Sequence, residues 1–235
     1  RLNIKDYQKA LEYFTKEIEL SPEAGTGFKN RASLYAYNLN DNEKALIDFN
    51  KAIELDSIGD NFYYRGYFYN EIGEYNKALL DYNKAIELDR DDMDNLDKKA
   101  EVLLELDKTD EALKVYNDIT NFYKKDLDKY REDLIYNYEH ISDAYFKYIL
   151  DYTKAIEYIN KAIKLYSELD ERNVEGESYA LSIRGNIYFD QGKTKKAEAD
   201  YLKAIELSPE YRDIYYSLAN YYIKINEFES ALKTI

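Results

Sequence analysis

The sequence contains no cysteine, no tryptophan, one histidine and only two prolines among 235 residues. Without cysteine there is no disulfide framework, no thiolate metal cage and no thiol nucleophile. With His140 as the sole imidazole, neither a histidine pair for a metal nor a His-centred triad can be assembled, and His140 reads as a polar-face residue. Two prolines and eight glycines leave few breaks. That argues against a sandwich or barrel and for a nearly all-helical chain, rich in Leu, Ile, Ala, Glu and Lys. No apolar run approaches the roughly 18 residues of a membrane span, and RLNIKDYQKA at the start has no apolar block of signal-peptide type. The segment reads as soluble, without membrane contact. Zero cysteines fits either redox compartment, with the cytoplasm as the default, and a start at Arg1 without methionine leaves room for a leader, anchor or catalytic domain outside these residues.

What is present is acid and tyrosine. A net charge of −14 repels a phosphate backbone, so nucleic acid is not an expected partner. The 28 tyrosines read first as compositional bias and second as material for an aromatic binding surface. Gly25-Thr26-Gly27 looks like half a phosphate loop but lacks the Gly-Lys-Ser/Thr that would follow, and reads as a linker. The acidic run Asp89 to Asp97 has Asp94 and Ala100 where a calcium loop needs glycine and glutamate, and reads as a turn in which Asp91 and Asp92 cap the next helix. No pair of carboxylates is singled out for glycosidase chemistry. No catalytic residue, cofactor or metal site is expected, and the chain is not expected to be an enzyme.

The dominant signal is a repeat. NKAIELD occurs at Asn50 to Asp56 and at Asn83 to Asp89, KAIEL returns at Lys203 and KAIKL at Lys161. One alanine recurs as Ala10, Ala45, Ala78, Ala112, Ala155, Ala197 and Ala231, with gaps of 35, 33, 34, 43, 42 and 34 residues. Four residues after each stands a large side chain: Phe14, Phe49, Tyr82, Tyr116, Ile159, Tyr201 and Ile235. A second series of small residues, Ala32, Gly66, Ala100, Ser142, Gly185 and Ala219, precedes these by about half a repeat. Small opposite large is what allows two antiparallel helices to approach closely.

The stretch Phe62 to Leu88, with Phe62, Gly66, Tyr69, Ala78, Tyr82 and Ala85 in place and Gly73 at the turn, resembles the tetratricopeptide repeat family. Arg65 stands where the pattern has leucine, and Arg90 where it has proline. The resemblance implies an all-α fold, an α-solenoid superhelix of antiparallel helix pairs. Its expected units are a partial repeat over 1–24, repeats over 25–57, 58–91 and 92–125, extended repeats over 126–169 and 170–210, and a partial repeat over 211–235. The first long gap is expected to lengthen a first helix toward its N-terminus, and the second, the polar stretch 167–178 with Gly176, to add a longer second helix and a loop.

In this family first helices line the concave face. The resemblance therefore implies a protein-interaction scaffold that binds a peptide segment of a partner there, with Lys29, Tyr63, Tyr67, Asn70, Asp97, Glu101, Glu139, Asp143, Asn186 and Asn220 as candidate contacts. Aromatic rings beside acids suit a partner segment with basic residues. The clamp that some relatives use for chaperone tails is not expected, because Ser33, Tyr64 and Asp94 stand where its asparagines and a lysine belong. The alternative is a regulatory or self-assembly module of a larger protein, with self-association through the repeat ends.

Overall fold

A computed structural model describes residues 4–90, 92–169 and 173–234. The cap expected at Asp91, the large side chain expected at Ile235 and the middle of the polar stretch, 170–172, lie outside the described residues. Two compact units divide the chain, Arg1–Val115 and Tyr116–Ile235. The first holds α1 (Ile4–Leu20), α2 (Gly25–Tyr37), α3 (Asn42–Leu55), α4 (Gly59–Glu71), α5 (Tyr75–Leu88), α6 (Met93–Glu105) and the start of α7 (Thr109–Tyr123). The second holds the rest of α7, α8 (Leu127–Asp143), a π-helical turn (Ala144–Ile149), α9 (Tyr152–Ser167), α10 (Val174–Asp190), α11 (Thr194–Leu207), α12 (Arg212–Lys224) and α13 (Phe228–Thr234). Among the described residues there is no strand, and each unit is a stack of antiparallel helix pairs of the α-solenoid type.

Volume complementarity sets the register. Ala45, Ala78, Ala112, Ala155 and Ala197 are fully buried, as are Phe49, Tyr82 and Ile159. A Cβ added at Gly66 would lie 3.2 Å from the Tyr82 ring, and one at Gly185 only 2.7 Å from the Tyr201 ring. These glycines are the hollows into which the two tyrosines pack. The helix-to-helix turns need one residue with positive φ: Gly73 (76°) and Gly192 (73°), with Asn40, Asp107, Asn226 and, less comfortably, Leu150 (59°) taking the same conformation. Asp92 caps α6 by accepting from the amides of Asp94 and Asn95.

A second device joins the two helices of three hairpins. Arg31, Arg65 and Arg184, each one residue before a hollow, form two-pronged ion pairs with Asp48, Asp81 and Asp200 on the following helix. The Arg65 pair closes at 2.8 and 2.7 Å, and the three aspartates are buried. Arg65 is therefore no imperfect leucine. It is half of an ionic clasp inside its hairpin.

Two glycine readings are corrected. Gly25 and Gly27 are not linker but the buried first turn of α2: the Gly25 amide donates to Asp56 at 2.6 Å, and a Cβ there would lie 2.7 Å from the Ala52 carbonyl oxygen. Gly176 is not in a loop but in the first turn of α10, whose Asn173 cap accepts from its amide at 2.9 Å. It lies so close to Tyr166 that a Cβ would meet the ring at 2.5 Å. The hollow residue is the eighth of α4 but the sixteenth of α8, so α8 is longer toward its N-terminus. The second gap is spread over a longer α9, its connection and a longer α10.

Candidate functional site

In the first unit the candidate side chains stand on α2, α4 and α6. Tyr37, Tyr63 and Tyr67 form one aromatic group: Tyr37 meets Tyr67 edge to face at 5.7 Å, and Tyr63 stacks on Tyr67 at 6.5 Å. Beneath them Tyr63 reaches Tyr82 at 5.9 Å, and the buried Tyr82 hydroxyl has no partner among the described residues. Burial raises the pKa of Tyr37, Tyr63 and Tyr82. Asn70 follows one turn on and is half-buried.

The charged candidates are less open than expected. Lys29 pairs with Asp60 of α4 and lies 4.7 Å over the Tyr64 ring, so it ties α2 to α4. Asp97 and Glu101 are half-buried, and Lys98 bonds Glu101 at 2.7 Å. Between α4 and α6 opens a recess of about 550 Å³, lined by Asp60, Tyr63, Tyr64, Asp89, Asp92 and Asp94 among others. Of these only Tyr63 was expected as a contact. Asp89, Asp92 and Asp94 belong to the run that reads as an acidic turn.

In the second unit, Asp143, Ser182 and Asn186 come together with Tyr179, Tyr211 and Asp213 around a recess of about 180 Å³ served by α8, α10 and α12. Asp143 bonds Lys147 at 2.6 Å, and Asn186 accepts from the Tyr201 hydroxyl at 2.7 Å. Asn220 is exposed on α12. Glu139 does not stand on an open face. It is buried and accepts a hydrogen bond from Tyr166 at 3.1 Å, made possible by the missing side chain at Gly176. Burial pushes its pKa up to about 7, against the opposing effects of the Tyr166 hydrogen bond and His140.

Family profiles for the tetratricopeptide repeat match residues 30–58 and 61–92, and for the TPR repeat residues 185–233. No curated protein matches the chain in sequence. Solved structures similar to it include BtubC (BKLC) from P. vanneervenii, at 17% identity and TM-score 0.69, covering 87% of this chain and 89% of that one. A tetratricopeptide repeat protein from Parabacteroides merdae matches at 24% identity and TM-score 0.62, covering 91% and 77%. YrrB, described as a TPR protein with an unusual peptide-binding site, matches at 22% identity and TM-score 0.54, covering 88% and 98%. At these identities the likeness speaks for the fold. Together with the hollow-and-knob register in both units, the profile matches show that this chain carries tetratricopeptide repeats.

Proposed function

We propose that the chain is a protein-interaction scaffold that takes an extended peptide segment of a partner on the first-helix face of its hairpins, chiefly along α4 and α6. The observation that carries this reading is the tyrosine group of Tyr37, Tyr63 and Tyr67 on α2 and α4, with Asp97 and Glu101 carried by the following first helix, α6. Tyr37 keeps an exposed edge, while Tyr63 also packs on Tyr82 of its own hairpin. Rings with two rotatable bonds give contact area at low entropic cost, and each face over which a cation sits contributes about 0.5–2 kcal/mol. The net charge of −14 favours a partner segment with basic residues, whose binding weakens with added salt. A TPR fold on which YrrB is described as carrying a peptide-binding site adds support by analogy.

The test presents a displayed peptide library to the intact chain and to a variant with Tyr63, Tyr67, Asp97 and Glu101 all changed to alanine. Peptides retained by the chain and lost by the variant, at unchanged circular dichroism, are expected. Equal retention by both overturns the α4–α6 face.

A second reading, a self-assembly or regulatory module within a larger protein, draws on the exposed Tyr216, Phe228 and Leu232 of α12 and α13. Light scattering across a concentration series separates it: growth in mass with concentration favours self-assembly, and a constant monomer mass removes it.

A further inference from the structure

The recess between α4 and α6 combines three features that select one kind of ligand. We propose that it seats a single lysine or arginine side chain of the bound peptide, an inference that rests on the peptide-binding reading above.

The first feature is charge. Asp60, Asp89, Asp92 and Asp94 all line the recess. Lys29 already pairs with Asp60, and the N-termini of α4 and α6 also lie there and oppose a cation, but each terminus carries only about half a positive charge, less than the carboxylates of Asp89, Asp92 and Asp94 together. Asp92 is held rigidly, because its carboxylate accepts from the Asp94 amide at 3.0 Å and from the Asn95 side chain at 2.8 Å.

The second feature is aromatic walls. Tyr63 and Tyr64 meet at 5.5 Å and 88°, so two rings bound the same space as the acids. Rings and carboxylates together suit an organic cation with an apolar stem, whereas a hard metal ion takes oxygen ligands alone. The chain already provides an example: Lys29 of the preceding hairpin lies over the outer ring, Tyr64, while pairing with Asp60.

The third feature is Asn95, which lines the recess, is only 1% exposed and has an Oδ1 without a partner among the described residues. Asn61 and Asn137 occupy the same place, five residues before the hollow. Asn61 donates its amide to the Ala52 and Asp56 carbonyls, and Asn137 to the Tyr116 carbonyl and the Thr120 hydroxyl, all on the preceding second helix or its end. The Asn137 oxygen is also unpartnered, but only Asn95 turns its amide away, to Asp92. The Asn95 oxygen is thus an unused acceptor buried in the wall of a recess whose carboxylates also accept, and a guanidinium or ammonium offers only donors.

The probe is the peptide acetyl-Gly-Arg-Gly-amide, titrated into the 15N-labelled intact chain, with lysine and citrulline in place of arginine as comparisons. Citrulline keeps the shape of arginine and removes the charge. The arginine and lysine peptides are expected to shift the Asn95 side-chain amide and the Gly59 and Asp94 backbone amides saturably, with the citrulline peptide bound about fivefold more weakly or not at all. Asp92→Asn keeps the helix cap, and combined with Asp89→Asn it is expected to weaken the arginine peptide to a similar degree while the rest of the spectrum stays in place. Equal binding of the citrulline peptide, or an unaffected double variant, overturns the proposal. So does saturation of the same signals at lower concentration by calcium or spermidine, which would make the recess a metal or polyamine site. Peptides from the library that shift α4 signals near Tyr67 but leave Asn95 unmoved overturn the recess while leaving the peptide reading standing. A library that yields no peptide overturns the reading itself.

Discussion

The hairpins α4–α5 and α8–α9 satisfy one register with different chemistry. In the first, Gly66 is the hollow, Tyr82 fills it, Arg65 and Asp81 form the clasp and Gly73 makes the turn. In the second, Ser142 is the hollow and its hydroxyl donates to the Ala155 carbonyl at 2.9 Å, while Ile159 replaces the tyrosine. Ile141 and Tyr158 stand where the clasp would be, and Leu150 stands at the turn. The small hollow and the buried alanines of the second helix, Ala78 and Ala85 in one and Ala155 and Ala162 in the other, are common to both. Elsewhere partners are exchanged in pairs: two charges for two apolar groups. A carboxyl buried without a cation survives in α8 because it can stay protonated.

The largest effect expected from this comparison is in the clasp. Arg65→Met leaves the buried Asp81 unpaired and should cost about 3 kcal/mol in a denaturant titration. Adding Asp81→Leu, which imitates the apolar pairing of α8–α9, should recover at least half of that loss. If the double variant is no more stable than the single one, the two pairings are not interchangeable.

The pH response is expected to come from the other hairpin. The Glu139 pKa is raised in the fold, from about 4.5 to about 7, so the folded state holds a proton that the unfolded chain releases earlier. Its contribution is fully present below pH 4.5 and declines by roughly 1.4 kcal/mol per pH unit as pH rises toward 7, where it levels off. Glu139→Gln keeps the acceptor for Tyr166 and should remove this slope from stability curves measured against pH. An unchanged slope would mean that Glu139 is ionised in the fold.

The smallest effect concerns the turns. Leu150 is 64% exposed, so changing it to glycine loses little burial and relieves a left-handed backbone. Leu150→Gly should raise stability by about 1 kcal/mol at most, and Gly73→Leu should lower it by a similar amount. Melting temperatures that do not move in opposite directions would break the equivalence of the two turns.

The hollows and knobs could be read from residue sizes alone, because volume belongs to one residue at a time. The clasps could not, since their members lie 16 or 17 residues apart, although an arginine before the hollow and an aspartate three after the alanine recur in the text of the sequence. Gly25, Gly27 and Gly176 are ambiguous in sequence for a different reason. Glycine signals either freedom or close approach, and only the neighbouring Asp56, Ile18 and Tyr166 decide which. The placement of Tyr63 and Tyr67 on α4 and of Asp97 and Glu101 on α6 follows from the repeat register. The burial of Glu139 does not, because the side chain that covers it comes from another helix, at Tyr166.

The clasps also bear on how such a chain can change length over generations. Arg31 with Asp48, Arg65 with Asp81 and Arg184 with Asp200 are each closed within a single hairpin. A duplication or deletion of one whole hairpin therefore carries both members of a pair with it and strands no charge in the interior. A segment that began or ended between the two helices would leave a buried aspartate without its arginine, so hairpin-sized steps are the ones that folding tolerates.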